Sequence, residues 1–248
     1  MEKVWEIKDE KKIVLDSASG FLALERIEAD SPSSREILVS AYAEVQYLLI
    51  ADNVRNPDIL RRLFRLEEGA RLSVRYLFLG EGCQAWHLEH EIGPRARIES
   101  RSLAIGREAN DFSVRADYDF RGESSFGRVT ADAMISGGSR LRFDANINVL
   151  PLAQKSDTRV DLHLRLDGVQ ARGEMTPSLN IAANDVKAGH SASTFQLSPE
   201  DLFYLRSRGL SKKEISRLFV WSMASTFVRE IKNENVREEV LEIIKGKL

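Results

Sequence analysis

Between residues 69 and 193 apolar and polar positions alternate in short runs. The runs fall at 71–78, 96–103, 112–118, 127–131, 140–147, 159–164 and 178–181. Period-two alternation with no helical pattern between the runs predicts a body made of β-strands alone. A sandwich, a barrel and a parallel β-helix each satisfy that pattern, and the uneven spacing of the runs selects none of them. Upstream, residues 4–7, 12–15 and 21–24 are shorter alternating pieces, and Asp30-Ser31-Pro32-Ser33-Ser34 is a loop. Residues 35–51 fit either a helix or two strands, because their β-branched residues lack clean period two. Asn56-Pro57-Asp58 ahead of residues 59–64 predicts a short capped helix.

The pattern turns helical after residue 196. Ser198-Pro199-Glu200-Asp201 supplies a serine N-cap, a proline at the first helical position and a carboxylate three residues after the cap. That helix must stop near Gly209, a residue suited to a left-handed C-terminal cap. Ser211-Lys212-Lys213-Glu214 repeats the capping box and opens a longer helix, so the two form a tight hairpin. In the longer helix Ile215, Leu218, Phe219, Met223, Thr226 and Phe227 share one face, while Val220, Trp221, Ala224 and Val228 lie elsewhere. A helix apolar on most sides is buried on most sides, here with one side on the body and another on a partner. Asn235-Val236-Arg237-Glu238 opens a third helix, with Val236, Val240, Ile243 and Ile244 as its stripe. The chain thus divides into N-terminal strands and a short helix (1–68), a β-core (69–195) and a helical subdomain (196–248).

Composition narrows the class only a little. With 248 residues, 43% hydrophobic and 30% charged, the chain can bury a substantial core. A net charge of −2 gives no global field for nucleic acid or an anionic membrane, and neither partner is expected. No apolar run approaches a transmembrane span, and residues 1–12 lack a signal-peptide core, so a cytoplasmic protein is expected. The single cysteine, Cys83, excludes an intrachain disulfide and suits a reducing compartment.

Candidate chemistry is sparse. Cys83 is the one candidate thiol, against the alternative of an inert small hydrophobe. In His87-Leu88-Glu89-His90-Glu91, strand geometry turns His87, Glu89 and Glu91 to one face and His90 to the other, so no metal cluster is expected. His163 falls on the polar side of its run. Gly137-Gly138 is a turn and not a nucleotide loop, and no nucleophile–base arrangement is present. Asp117, Asp119, Asp132, Asp144, Asp157 and Asp161 raise the alternative of a β-helical carbohydrate-active enzyme, although only Asp117 and Asp119 share a strand face. A self-associating structural protein is the other alternative.

Three stretches carry a resemblance. Pro177-Ser178-Leu179-Asn180-Ile181 reads P-x-L-x-I, residues 185–193 read D-V-x-x-x-H-x-A-x, and residues 202–211 read LFYLxSRGLS. In this order and spacing the chain resembles the SufB/SufD family of iron–sulfur cluster assembly scaffolds, with weaker similarity back to about residue 125. The resemblance implies a mainly β fold, a right-handed parallel β-helix with a C-terminal α-helical subdomain. Many members carry an N-terminal helical region, and this chain is expected to be a compact relative with little room for one. The family also implies a non-catalytic scaffold subunit of a SUF-type complex. A SufC-type ABC ATPase would dock on Leu202, Phe203, Tyr204, Arg208, Gly209, Leu218, Phe219 and Trp221. A SufB-type paralogue, or a second copy, would pair along Lys187, His190, Ser191 and Ser193.

The family's matching histidine lies at the dimer interface. His190 is therefore the expected ligand for iron or a transient iron–sulfur cluster there, with no cofactor expected on the chain alone. The alternative is a histidine that only fixes its turn by hydrogen bonds. Ser191 stands where SufB-type members have a glutamate, and Thr176 where they have a cysteine. A cluster needs thiolate or carboxylate ligands, so the chain looks closer to the SufD type.

Overall fold

The computed structural model describes residues 3–16, 21–28, 30–54, 58–80 and 82–247. Its strands are β1 (Val4–Ile7), β2 (Lys12–Leu15), β3 (Phe21–Arg26), β4 (Ser34–Val39), β5 (Glu44–Asp52), β6 (Ile59–Leu66), β7 (Arg71–Leu79) and β8 (Cys83–Ile92). They continue with β9 (Arg97–Gly106), β10 (Asp111–Phe120), β11 (Phe126–Ser136), β12 (Arg140–Val149), β13 (Asp157–Asp167), β14 (Arg172–Ile181) and β15 (Lys187–Gln196). Helices α1 (Pro199–Ser207), α2 (Lys212–Val228) and α3 (Glu234–Lys245) follow. Odd-numbered strands stack in order into one sheet and even-numbered strands into another, and every pairing is parallel. The chain crosses between the sheets at each turn, which is a parallel β-helix flattened to two faces. Of the architectures that alternation leaves open, this is the one adopted.

Alternation works as the sequence predicts. On β8, Gln84, Trp86, Leu88, His90 and Ile92 are buried, while the residues between them face out. Residues 35–51 resolve into β4 and β5. The short helix expected over 59–64 is instead β6, between β4 and β8. Leu60, Arg62, Phe64 and Leu66 alternate into the interior there, and burial at period two overrides the capping signal. Asn56 and Pro57 lie outside the described residues.

Corners repeat too. A residue in the left-handed region stands two places before β5, β7, β9, β11 and β13: Tyr42, Gly69, Arg95, Ser124 and Lys155. Each donates its backbone N–H to the next coil, as from Gly69 to Pro94 O at 2.9 Å and Arg95 to Glu123 O at 2.9 Å. Gly69 meets a second demand, since a Cβ there would lie 2.6 Å from the Tyr42 ring.

The tail folds back over the body. Val220, Ala224, Phe227 and Val228 of α2, with Val236, Val240 and Ile244 of α3, close over Leu22, Leu48, Leu77 and Leu103 on the outer face of the odd sheet. Strands β5, β7 and β9 are therefore buried on both faces towards their C-terminal ends. Fully burying one such side chain contributes about 1.5–3 kcal/mol, so this second core fixes α2 and α3 firmly. Arg75 donates from Nε to Phe227 O at 3.1 Å and pairs with Glu230 at 2.6 Å, placing a cation at the C-terminal end of α2.

The packed stripe of α2 differs from the face expected to lead. Ile215 and Phe227 are buried, but Leu218 is 56% exposed, and Val220, Ala224 and Val228 make the contact. Helix α3 begins earlier than expected, because Asn233 caps it by accepting from Val236 N at 3.1 Å. Among the described residues no helix is long and apolar enough to cross a membrane.

Candidate functional site

The last coil leaves the solenoid open. Strand β14 pairs only with β12 and β15 only with β13, so each sheet ends in an edge with unpaired backbone groups. On β14, Met175, Pro177 and Leu179 continue the inward row of Phe143, Ala145 and Ile147, yet with no coil beyond them they are only half-buried. On β15, His190 pairs in register with buried Val160, which puts it on the inward row, and it is exposed at the open end. Lys187, Ser191 and Ser193 pair with Asp157, Asp161 and His163 on the outward row. The expected interface residues thus divide between the two faces of one edge strand. Ser191 Oγ donates to Asp161 at 2.6 Å.

Thr176 pairs with Asp144 on the outward row of β14, so it does not share the face that carries His190. Cys83 is exposed at the start of β8, separated from β14 by β10 and β12. No group of three or more His, Cys, Asp or Glu able to hold a metal occurs among the described residues. The open end offers one imidazole.

Elsewhere the titratable groups are tied into the surface. His87 Nε2 lies 2.7 Å from Asp117, and Glu91 pairs with Arg65 at 3.1 Å and Arg121 at 2.9 Å. His90 is inward and 1% exposed. His163 is exposed, its Nδ1 3.0 Å from Asp132. The aspartates follow an Arg-x-Asp pattern: Arg115–Asp117 at 2.8 Å, Arg142–Asp144 at 2.9 Å and Arg159–Asp161 at 2.9 Å. Burial works against ionisation of Asp117, but hydrogen bonds from Arg115, Asn146 and His87 hold its pKa below the usual carboxylate value. Asp161 is lowered likewise, against its burial, by Arg159 and Ser191. Glycoside chemistry needs an acid with a raised pKa, and these two carboxylates are shifted the other way.

The tail carries the other candidate surface. Helix α1 has no buried residue, and both its capping box and that of α2 are formed. Its end is a Schellman turn, with Leu210 N donating to Leu205 O at 3.3 Å, Gly209 N to Arg206 O at 2.9 Å, and Gly209 at φ +90°. Phe203 is 76% and Tyr204 57% exposed, and the Arg208 guanidinium lies 5.2 Å from the Tyr204 ring. Leu218 and Trp221 also face solvent, while Leu202 and Phe219 are half-buried beside a cavity of about 600 Å³. Two features escaped the sequence reading. One is a buried cluster in which Glu25 pairs with Arg35 at 2.6 Å and Arg62 at 2.8 Å. The other is Arg165, wedged between Phe195 and Phe219. Their partners come from different elements, so no local pattern announces them.

The geometry defines a parallel β-solenoid whose C-terminal coil is unsealed, with a helical appendage anchored by α2 and α3 that leaves aromatic side chains in solvent. The chain belongs to the family described as SUF system FeS cluster assembly, SufBD core domain, whose model matches residues 11–223. The match reaches much further towards the N-terminus than the stretches that first suggested it. The chain is 25% identical over 207 residues to the iron-sulfur cluster assembly protein SufD of Escherichia coli (strain K12), covering 83% of this chain and 49% of that protein. It is 25% identical over 150 residues to SufD of Bacillus subtilis (strain 168), covering 60% and 34%. It is 29% identical over 106 residues to the chloroplastic protein ABCI7 of Arabidopsis thaliana, covering 43% and 22%. The chain spans about half or less of the length of these relatives.

Proposed function

We propose that the protein is a SufD-type, non-catalytic scaffold subunit of a cytoplasmic SUF-type complex that couples an ABC-type ATPase to a scaffold dimer interface. The observation that carries this reading is the hairpin of α1 and α2. Phe203 and Tyr204 on α1 and Leu218 and Trp221 on α2 stand in solvent, and α2 is fixed to the body through Val220, Ala224, Phe227 and Val228. Exposed apolar groups gathered on one helical hairpin fit a protein-docking face. The open edge of β15 suits strand pairing with a paralogue or a second copy.

Because α2 and α3 are packed onto the middle coils, force applied to the hairpin would move the solenoid with it. ATP-driven association of two ATPase subunits would draw two such tails together and displace the scaffold edges. Iron or a nascent cluster would be handled there as substrate. His190 would supply one ligand and the partner the rest, since imidazole is a competent iron ligand but one donor holds no cluster.

The test is co-elution of the full-length chain with the SUF-type ATPase of the same source, compared with the Phe203→Ala/Tyr204→Ala variant. The wild type should co-elute and the variant should not. Both should melt together, because exposed side chains typically change stability by about 0.5 kcal/mol or less. Retained co-elution of the variant would remove the hairpin from the docking face. The full chain is required, since truncation after β15 would strip the cover from Leu48, Leu77 and Leu103.

A further inference from the structure

The seam between the last coils and the tail holds a cation that makes no hydrogen bond to another described residue. Arg165, near the end of β13, is half-buried, with its guanidinium 3.0 Å from the Phe219 ring centre on α2 and 4.7 Å from that of Phe195 on β15. Among the described residues no hydrogen bond or ion pair engages its N–H groups, and Asp167 acts on it only through space. The Asp167 carboxylate is taken by the Ser216 hydroxyl and by Lys212 at 3.8 Å. Burial lowers the Arg165 pKa to about 10, against the pull of Asp167. A cavity of about 600 Å³ opens beside it, walled by Leu166, Leu197, Leu202 and Ile215. Over residues 198–218 the hairpin carries five cations (Arg206, Arg208, Lys212, Lys213, Arg217) against three carboxylates (Glu200, Asp201, Glu214).

We propose that Arg165 is a specificity contact of the tail's docking face and takes a carboxylate side chain of the docked ATPase in the plane of its guanidinium. This rests on the reading that the hairpin docks an ATPase. The rings of Phe219 and Phe195, 6.3 Å apart and tilted 44° to each other, crowd the guanidinium from two sides, so little further ordering is needed when both oxygens of a carboxylate arrive. Leu166, Leu197, Leu202 and Ile215, which share the cavity lining with Asp167, Lys212 and Ser216, limit the water around the pair and so strengthen it. The charge surplus of the hairpin favours an acidic apolar surface as partner.

The test is calorimetric titration of the ATPase into full-length wild type, Arg165→Met and Arg165→Lys. Methionine keeps an apolar stem between the rings, and thermal melting confirms that it folds. Arg165→Met should weaken binding by about thirty-fold or more, and Arg165→Lys should recover only part, because a point charge lacks the fork. Arg165→Glu should regain affinity when one acidic residue of the ATPase is changed to Lys. Unchanged affinity of Arg165→Met, with binding still lost in the Phe203→Ala/Tyr204→Ala variant, overturns the role of Arg165 and leaves the docking reading standing. Failure of the wild type to bind overturns both. If Arg165→Met instead breaks only a self-associated form, the occupant is a second copy and the assignment to the ATPase falls.

Discussion

Acidification should destabilise this fold partly through His90. Its ring lies between Tyr118, 4.3 Å away and nearly parallel at 6°, and Phe64, 5.3 Å away at 8°. Nδ1 lies 3.1 Å from Asp117 O and Nε2 lies 2.7 Å from the Tyr76 hydroxyl. A neutral imidazole fits both partners, donating from Nδ1 to the carbonyl and accepting at Nε2 from the hydroxyl. Burial lowers its pKa to about 4, partly opposed by the bond to Asp117. In the unfolded chain the value returns to about 6.5, so between these limits the unfolded state binds the extra proton and stability falls as pH falls. At 1.36 kcal/mol per pH unit, going from about pH 7 to about pH 5 removes about 2 kcal/mol, and the full loss below pH 4 is about 3 kcal/mol. The assay is urea unfolding followed by circular dichroism across that range, for wild type and His90→Gln. The glutamine variant lacks this titration, so the stability gap between the two proteins should narrow by about 2 kcal/mol towards about pH 5. A gap that stays constant would refute the neutral, desolvated imidazole.

Glu25→Gln should cost about 3–5 kcal/mol in the same unfolding assay, because it leaves the buried guanidinium groups of Arg35 and Arg62 without their shared carboxylate. A variant as stable as wild type would mean that the charge is compensated elsewhere. His190→Ala should lower the iron recovered with the assembled complex and leave assembly intact. Equal iron content would return His190 to a structural role.

Much of the solenoid is legible because alternation is a direct record of one buried face. It blurs where the tail covers the second face. Residues 47–51 of β5, Tyr-Leu-Leu-Ile-Ala, are all buried, so their continuous apolar run loses the period that marks a strand. Only the folding-back of α2 and α3 explains it. The same event misleads the helical wheel of α2, where Phe219 and Leu218 match the packed stripe in hydrophobicity yet lie beside it. At the site, hairpin caps follow from local chemistry and were readable residue by residue. His190 was marked by resemblance alone, since an imidazole between Gly189 and Ser191 carries no signal of an open solenoid end. Arg165 lies just past the alternating run 159–164, and only the structure brings two phenylalanines from other elements onto it.

The path of the tail sets a close-packed helical module and an edge strand without buried residues on one chain. Helix α2 touches the last coil only at its N-terminal half, through Phe219 on Phe195 and Ser216 and Lys212 on Asp167. The rest of α2 and α3 returns to β3, β5, β7 and β9, which become the most deeply enclosed strands, while β14 and β15 keep no fully buried residue. A load on the hairpin therefore reaches the body by two routes. The C-terminal half of α2 passes it to the middle coils through a close-packed core that does not deform continuously. The N-terminal half passes it through Phe219, Arg165 and Phe195 to an edge strand paired on one side only. Local opening follows the least buried segments, and no residue of β15 is buried. Strain entering at the aromatic face would thus be released at β15, the strand that carries His190 and the unpaired edge.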